Sequence, residues 1–281
     1  MSNSVLGRIL WAGLLAALSS SLYAVDGVVL IDQNHALAGN ITPGDGPGFP
    51  VTLSQPGSYR LTSNLTVPDA NTTAIQITSN NVTLDLNGFS IIGPVVCTSS
   101  PAICPAAGQG NGIQADAAPG QNGPSSVKIL NGAVRGVGAT GVLMTGLGSS
   151  VENVRVESVS GAGFVVAGRV TDSSAIRNGS FGILAVTVRT CTATDNHGEG
   201  ILLDGSGGVA DGNIASFNGS HGIRAPNGTV TGNTAVRNVL FGISATCPSS
   251  IVGNTVVSNT QGSIQTVNLE PCVIVNNATR P

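Results

Sequence analysis

The 281-residue sequence is poor in charge and in aromatic rings: 9% of its residues are Asp, Glu, Lys or Arg, and 3% are Phe, Trp or Tyr. Its 11 basic residues are scattered and the formal net charge is -3, so no basic stripe exists to neutralise a phosphate backbone. That excludes nucleic acid as a partner. Neither a Leu-rich consensus nor a sustained helical spacing of apolar residues is present, which excludes leucine-rich repeats and helical bundles. His35, His197 and His221 show no ligand spacing and the five cysteines are widely separated, so no metal or cofactor is predicted. After the first two dozen residues, no apolar run approaches the roughly 20 residues that span a bilayer.

What the chain does hold is Gly, in 39 copies, with abundant Val, Ile, Thr, Ser and Asn. This is the composition of strands joined by tight turns. Residues 1–24 read as an export signal. Arg8 supplies the positive start, Ile9 to Leu18 form an apolar stretch about half a membrane span long, and a Ser-rich segment leads to a predicted cleavage after Ala24. A secreted or periplasmic protein is expected, with no membrane span after signal removal. In an oxidising compartment, Cys97 and Cys104, which share one Gly/Pro/Ala-rich insertion, are candidates for a local disulfide. Cys247 and Cys272 lie about one repeat apart, the separation of a bridge between neighbouring coils.

Periodicity sets the fold. A Gly followed by a branched or aromatic apolar residue recurs at Gly112-Ile113, Gly141-Val142, Gly163-Phe164, Gly182-Ile183, Gly200-Ile201, Gly222-Ile223 and Gly242-Ile243. The last five intervals are 22, 19, 18, 22 and 20 residues. In phase with these pairs run Asn178, Asn196, Asn218, Asn238 and Asn259, and five residues before each stand Ser173, Cys191, Asn213, Asn233 and Asn254. Each repeat holds short β-type runs separated by Gly, Asn or Ser. Stacked coils would pair as parallel strands and place equivalent residues in columns, with each Asn amide joining one turn to the next. Cys191 falls in the Ser/Asn column as a small, inert stacking residue.

These features predict an all-β chain, a right-handed parallel β-helix or solenoid with an N-terminal cap at 25–50 and the β-helix proper over 51–281. Residues 94–126, which break the period, are expected to form a loop insertion. The stretches NVTLDLNGFSIIG from Asn81, VKILNGAVRG from Val127 and NGSHGI from Asn218 resemble the pectin-lyase-like superfamily of bacterial right-handed β-helix proteins. The resemblance runs from about residue 51 to the C-terminus. It implies the fold, and a membership that includes pectate lyases, polygalacturonases, alginate epimerases and proteins of no assigned activity.

Chemistry is densest in DNHGEG, from Asp195 to Gly200. Aligned on the Gly-apolar pair, the preceding position reads Phe181, Glu199, His221 and Phe241, which makes Glu199 and His221 stacked neighbours. A carboxylate so placed is expected to raise the histidine pKa. Asp195, His197, Glu199 and His221 are therefore the candidate catalytic groups for sugar chemistry, with Phe181, Arg224 and Phe241 as substrate-binding residues. The segment is similar to the Asp-Pro-His-acid motif of alginate epimerases, but Asn196 stands where the motif has Pro, and Gly198 separates His197 from the acid. A competing reading makes Asp195 an ordinary surface partner of Arg177 in the adjoining coil.

If Ile183, Ile201 and Ile223 point inward, strand alternation sends Leu143, Val165, Leu184, Leu202 and Arg224 outward. The four apolar members are expected to lie under the 94–126 loop or to support self-association. Two function classes follow. One is an exported β-helix that binds or processes polysaccharide, an enzymatic version being a lyase, hydrolase or epimerase. The other is a non-catalytic surface or extracellular scaffold.

Overall fold

The structure, a computed structural model, describes residues 27–106, 108–116, 122–205, 207–267 and 270–280. The segment read as an export signal lies outside them.

One coil shows the plan. Ile201–Leu203, Val209–Asp211 and Ile214–Ser216 are three short strands turning in succession, after which Ile223–Pro226 begins the next coil directly above the first. Every pairing between named strands is parallel, and like strands stack into three sheets: sheet 1 holds Ile201–Leu203 and its equivalents, sheet 2 Val209–Asp211, sheet 3 Ile214–Ser216. Among the described residues, about ten coils form one parallel solenoid with a single short helix.

Alternation along each three-residue strand sends the outer two side chains of sheet 1 inward and the middle one outward. The inward column Val142, Phe164, Ile183, Ile201, Ile223 and Ile243 is fully buried. Sheet 3 answers these large residues with small ones, Ala175, Ala193, Ala215 and Ala235, also fully buried. The Gly before each inward apolar residue has a steric cause: a Cβ on Gly182 would stand 2.5 Å from the Gly200 carbonyl oxygen and 2.7 Å from Asn196 Nδ2.

The corners depend on two buried polar columns. Between sheets 3 and 1, Asn178, Asn196, Asn218, Asn238 and Asn259 form a ladder in which each residue donates its backbone N–H and Nδ2 to Oδ1 of the next. Between sheets 2 and 3, Cys191, Asn213, Asn233, Asn254 and Asn277 form a second. The residue before each rung takes a left-handed conformation, as at Arg177, Asp195, Phe217 and Arg237, whose φ values are 55°, 59°, 56° and 54°. This tightens the corner and turns backbone donors toward the ladder.

At the N-terminal end, Val28–Ile31 pairs with Gly57–Leu61, and the helix Gln33–Ala38 follows. Asp32 caps it by accepting the His35 N–H at 2.9 Å, and Ala36 joins the core. The 94–126 segment is more than a loop. Ile113–Ala115 sits in sheet 1 between Ile75–Ile77 and Val142, because Ile113 and Ala115 fill the core there. Among the described residues, no helix is long and apolar enough to cross a membrane.

Candidate functional site

The turn from sheet 3 into sheet 1 ends, coil by coil, in Phe181, Glu199, His221 and Phe241. Each is partly buried, and each is fixed by backbone bonds between coils, such as the Gly200 N–H to the His221 carbonyl at 3.0 Å. The His221 and Phe241 rings stack with centroids 6.0 Å apart and planes inclined by 22°. The Phe241 N–H donates to His221 Nδ1 at 3.3 Å, which leaves the ring proton on Nε2. Burial pushes the His221 pKa below its ordinary value, outweighing the opposing field of Glu199, while Arg224 acts in the same sense as burial. Glu199 does act to raise this pKa, as its place in the column predicts, but the net shift is downward because desolvation of the imidazolium is the larger effect.

Arg224 stands on the outer face of sheet 1, directly above Leu202, with Nη1 3.8 Å from Glu199 Oε1. The guanidinium is largely exposed, so the pair contributes about 0 to 1 kcal/mol. Above Arg224 the outward column continues with Ser244 and Gln265, joined by a hydrogen bond of 3.3 Å. Below it lie Leu202, Leu184, Val165 and Leu143, all outward and partly buried. The outer face of sheet 1 thus changes from apolar to polar at the coil carrying Arg224, beside Glu199 and His221.

Asp195 and His197 belong to a different arrangement. A disulfide joins Cys97 to Cys104, and with Val95 and Ala102 they build a small apolar cluster in a strap that lies along the outside of the turns. The strap starts where the Val95 N–H donates to the Gly136 carbonyl and returns where the Gly108 N–H donates to that of Gly138. Between these points it reaches Asp195. The Ser100 hydroxyl donates to the Asp195 carboxylate, the Ala102 N–H to the Asp195 carbonyl at 2.9 Å, and His197 Nδ1 to the Ala102 carbonyl at 2.9 Å. Asp195 is held by the strap, with no ion pair to Arg177 among the described residues. These strap contacts span 95 residues of sequence and leave no local signal. Cys247 and Cys272 are joined by a second disulfide between neighbouring coils.

The sequence profile of the family described as "Right handed beta helix region" matches residues 121–279, more than half of the chain. The chain belongs to that family. Within it, this right-handed β-helix protein superposes on the A-module of mannuronan C-5 epimerase AlgE4 from Azotobacter vinelandii with a TM-score of 0.52 at 15% identity, over 73% of this chain and 70% of that one. The A-module of AlgE6 from the same organism gives 0.47 at 18% identity, over 75% and 71%. The Dettilon tailspike protein gives 0.46 at 17%, over 80% and 52%. At such identities the likeness is one of fold. No curated protein sequence matches.

Proposed function

We propose that this right-handed β-helix protein is exported and binds polysaccharide along the edge where the turns meet sheet 1. The observation that carries the reading is the union of Glu199, His221, Phe241 and Arg224 on one surface, continued by Ser244 and Gln265. A sugar ring has an apolar face and a rim of hydroxyls. Phe241 offers a surface for the first, while the Glu199 carboxylate, the His221 Nε2–H and the Gln265 amide offer an acceptor, a donor and a group that does both. Arg224 offers a bidentate contact to a uronate carboxylate. Likeness of fold to a mannuronan C-5 epimerase module and two disulfides, which suit an oxidising compartment, support the same reading.

The arrangement favours binding over turnover. With Nδ1 occupied by the Phe241 N–H, neutral His221 is a donor rather than a base, and Asp195 and His197 are engaged by the strap. If processing occurs, Glu199 is the group left to accept a proton. The test is the size distribution of polyuronates and neutral polysaccharides incubated with the protein and with Glu199→Ala. Retention of polysaccharide without shortening supports binding, shortening lost in Glu199→Ala assigns turnover to this edge, and neither retention nor shortening overturns the reading.

The scaffold reading keeps one specific support, the apolar outward column Leu143, Val165, Leu184 and Leu202. If these residues mediate self-association, the mass in solution rises with concentration and returns to that of a monomer in Leu184→Asp.

A further inference from the structure

Sheet 2 carries a groove used by none of the residues above. It follows the solenoid axis from the coil of Lys128 to that of Asp211 and encloses about 1200 Å³. Arg169 stacks between Ser150 and Thr187, and Arg189 between Thr171 and Asp211, so the two arginines stand one coil and two residues apart. Strand spacing and rise put their Cα atoms about 8 Å from each other.

Both side chains are exposed, and among the described residues neither guanidinium has an ion pair or hydrogen bond. Two of the acids lining the groove are engaged: Glu152 pairs with Lys128 at 2.9 Å and Asp172 accepts the Thr190 hydroxyl at 2.5 Å. Asp211, the third, neighbours Arg189 in register without reaching it. One wall is the part of the strand Val142–Glu157 where sheet 1 passes into sheet 2, marked by a register shift between Met144 and Ser149. There Leu147 is 67% exposed, and Ser149, only 2% exposed, has a hydroxyl with no hydrogen-bond partner.

We propose that this groove is a second carbohydrate-binding surface, which takes an extended anionic polysaccharide through oxyanions engaged by Arg169 and Arg189. A guanidinium fork matches a carboxylate or sulfate in a bidentate way, and two forks one coil apart suit successive anionic groups of a chain. The hydroxyls of Ser150 and Thr187 beside Arg169 can bond to sugar hydroxyls. The five coils lining the groove extend about 19 Å, the length of several sugar units rather than of one ion. The surface lies on a different sheet from Glu199 and Arg224, so the two sites are separable.

The full chain is titrated with polygalacturonate, dextran sulfate and uncharged dextran, alongside the pairs Arg169→Gln with Arg189→Gln, and Glu199→Gln with Arg224→Gln. The first pair is expected to weaken binding of at least one polyanion about tenfold without lowering the melting temperature, and the polyanion affected identifies the oxyanion. That loss persists in the Glu199/Arg224 background, which separates this site from the sheet 1 edge. Affinity for both polyanions within about twofold of wild type in the Arg169/Arg189 pair would overturn the proposal.

Discussion

Asn196 directs two donors at a single oxygen, with its backbone N–H and its Nδ2 reaching Oδ1 of Asn218 at 3.1 and 3.0 Å. Asn218 repeats the pattern on Asn238 and also donates to the Ala193 carbonyl. Replacing Asn218 by Ala strands donors and acceptors on both sides in a fully buried corner, where each unsatisfied group costs about 1 to 3 kcal/mol. Asn218→Ala is expected to lose about 2 to 4 kcal/mol, read from the denaturation midpoint.

Cys191 tests the other ladder from the opposite direction. Its N–H bonds to Asn213 Oδ1 at 2.8 Å, but its thiol offers only a weak donor to the Arg189 carbonyl at 3.1 Å, where Asn233 places an amide on the equivalent Thr231 carbonyl. Cys191→Asn is expected to raise stability by about 1 kcal/mol. Burial pushes the thiol pKa up to about 12, so the native protein should resist alkylation at Cys191 and react on unfolding.

The Gly-apolar pairs give a steric test. Gly182→Ala sets a methyl group against the Gly200 carbonyl and the Asn196 amide, and is expected to cost about 1 to 3 kcal/mol. Gly46→Ala, whose Cβ would meet nothing within 4 Å, is expected to leave stability unchanged in the same thermal melt.

The coils were legible in the sequence because their determinants recur: the glycines, the two polar columns and the alternation that sends Leu184 outward and Ile183 inward all report locally on a repeating geometry. The helix Gln33–Ala38 was not, since six residues carry no apolar period, and it is held by tertiary contacts such as Gln33 Oε1 accepting the Thr66 N–H. Stacking of Glu199 on His221 could be read from register. The direction of the His221 pKa could not, because the burial that outweighs Glu199 is set by the coils packed around the ring. The paired charges and free arginines of sheet 2 were equally hidden, being scattered singly through five coils.

His221 imposes a pH dependence whose sign follows from its lowered pKa. The unfolded chain takes up the proton more readily than the native protein, so the contribution of the neutral ring is complete above the ordinary value of 6.5 and is lost as pH falls through the folded value. Between about pH 7 and 5, wild type is expected to lose more stability than His221→Gln, measured by denaturation at each pH.

The most direct test of the sheet 1 edge as a polysaccharide-binding surface is the retardation of the protein in gels containing alginate, pectin or neutral glucan. Wild type is expected to be slowed by at least one of them, and Phe241→Ala, with its fold intact by circular dichroism, to bind that polymer about tenfold more weakly. Equal retardation of the two proteins, or free migration of wild type in every gel, would contradict it.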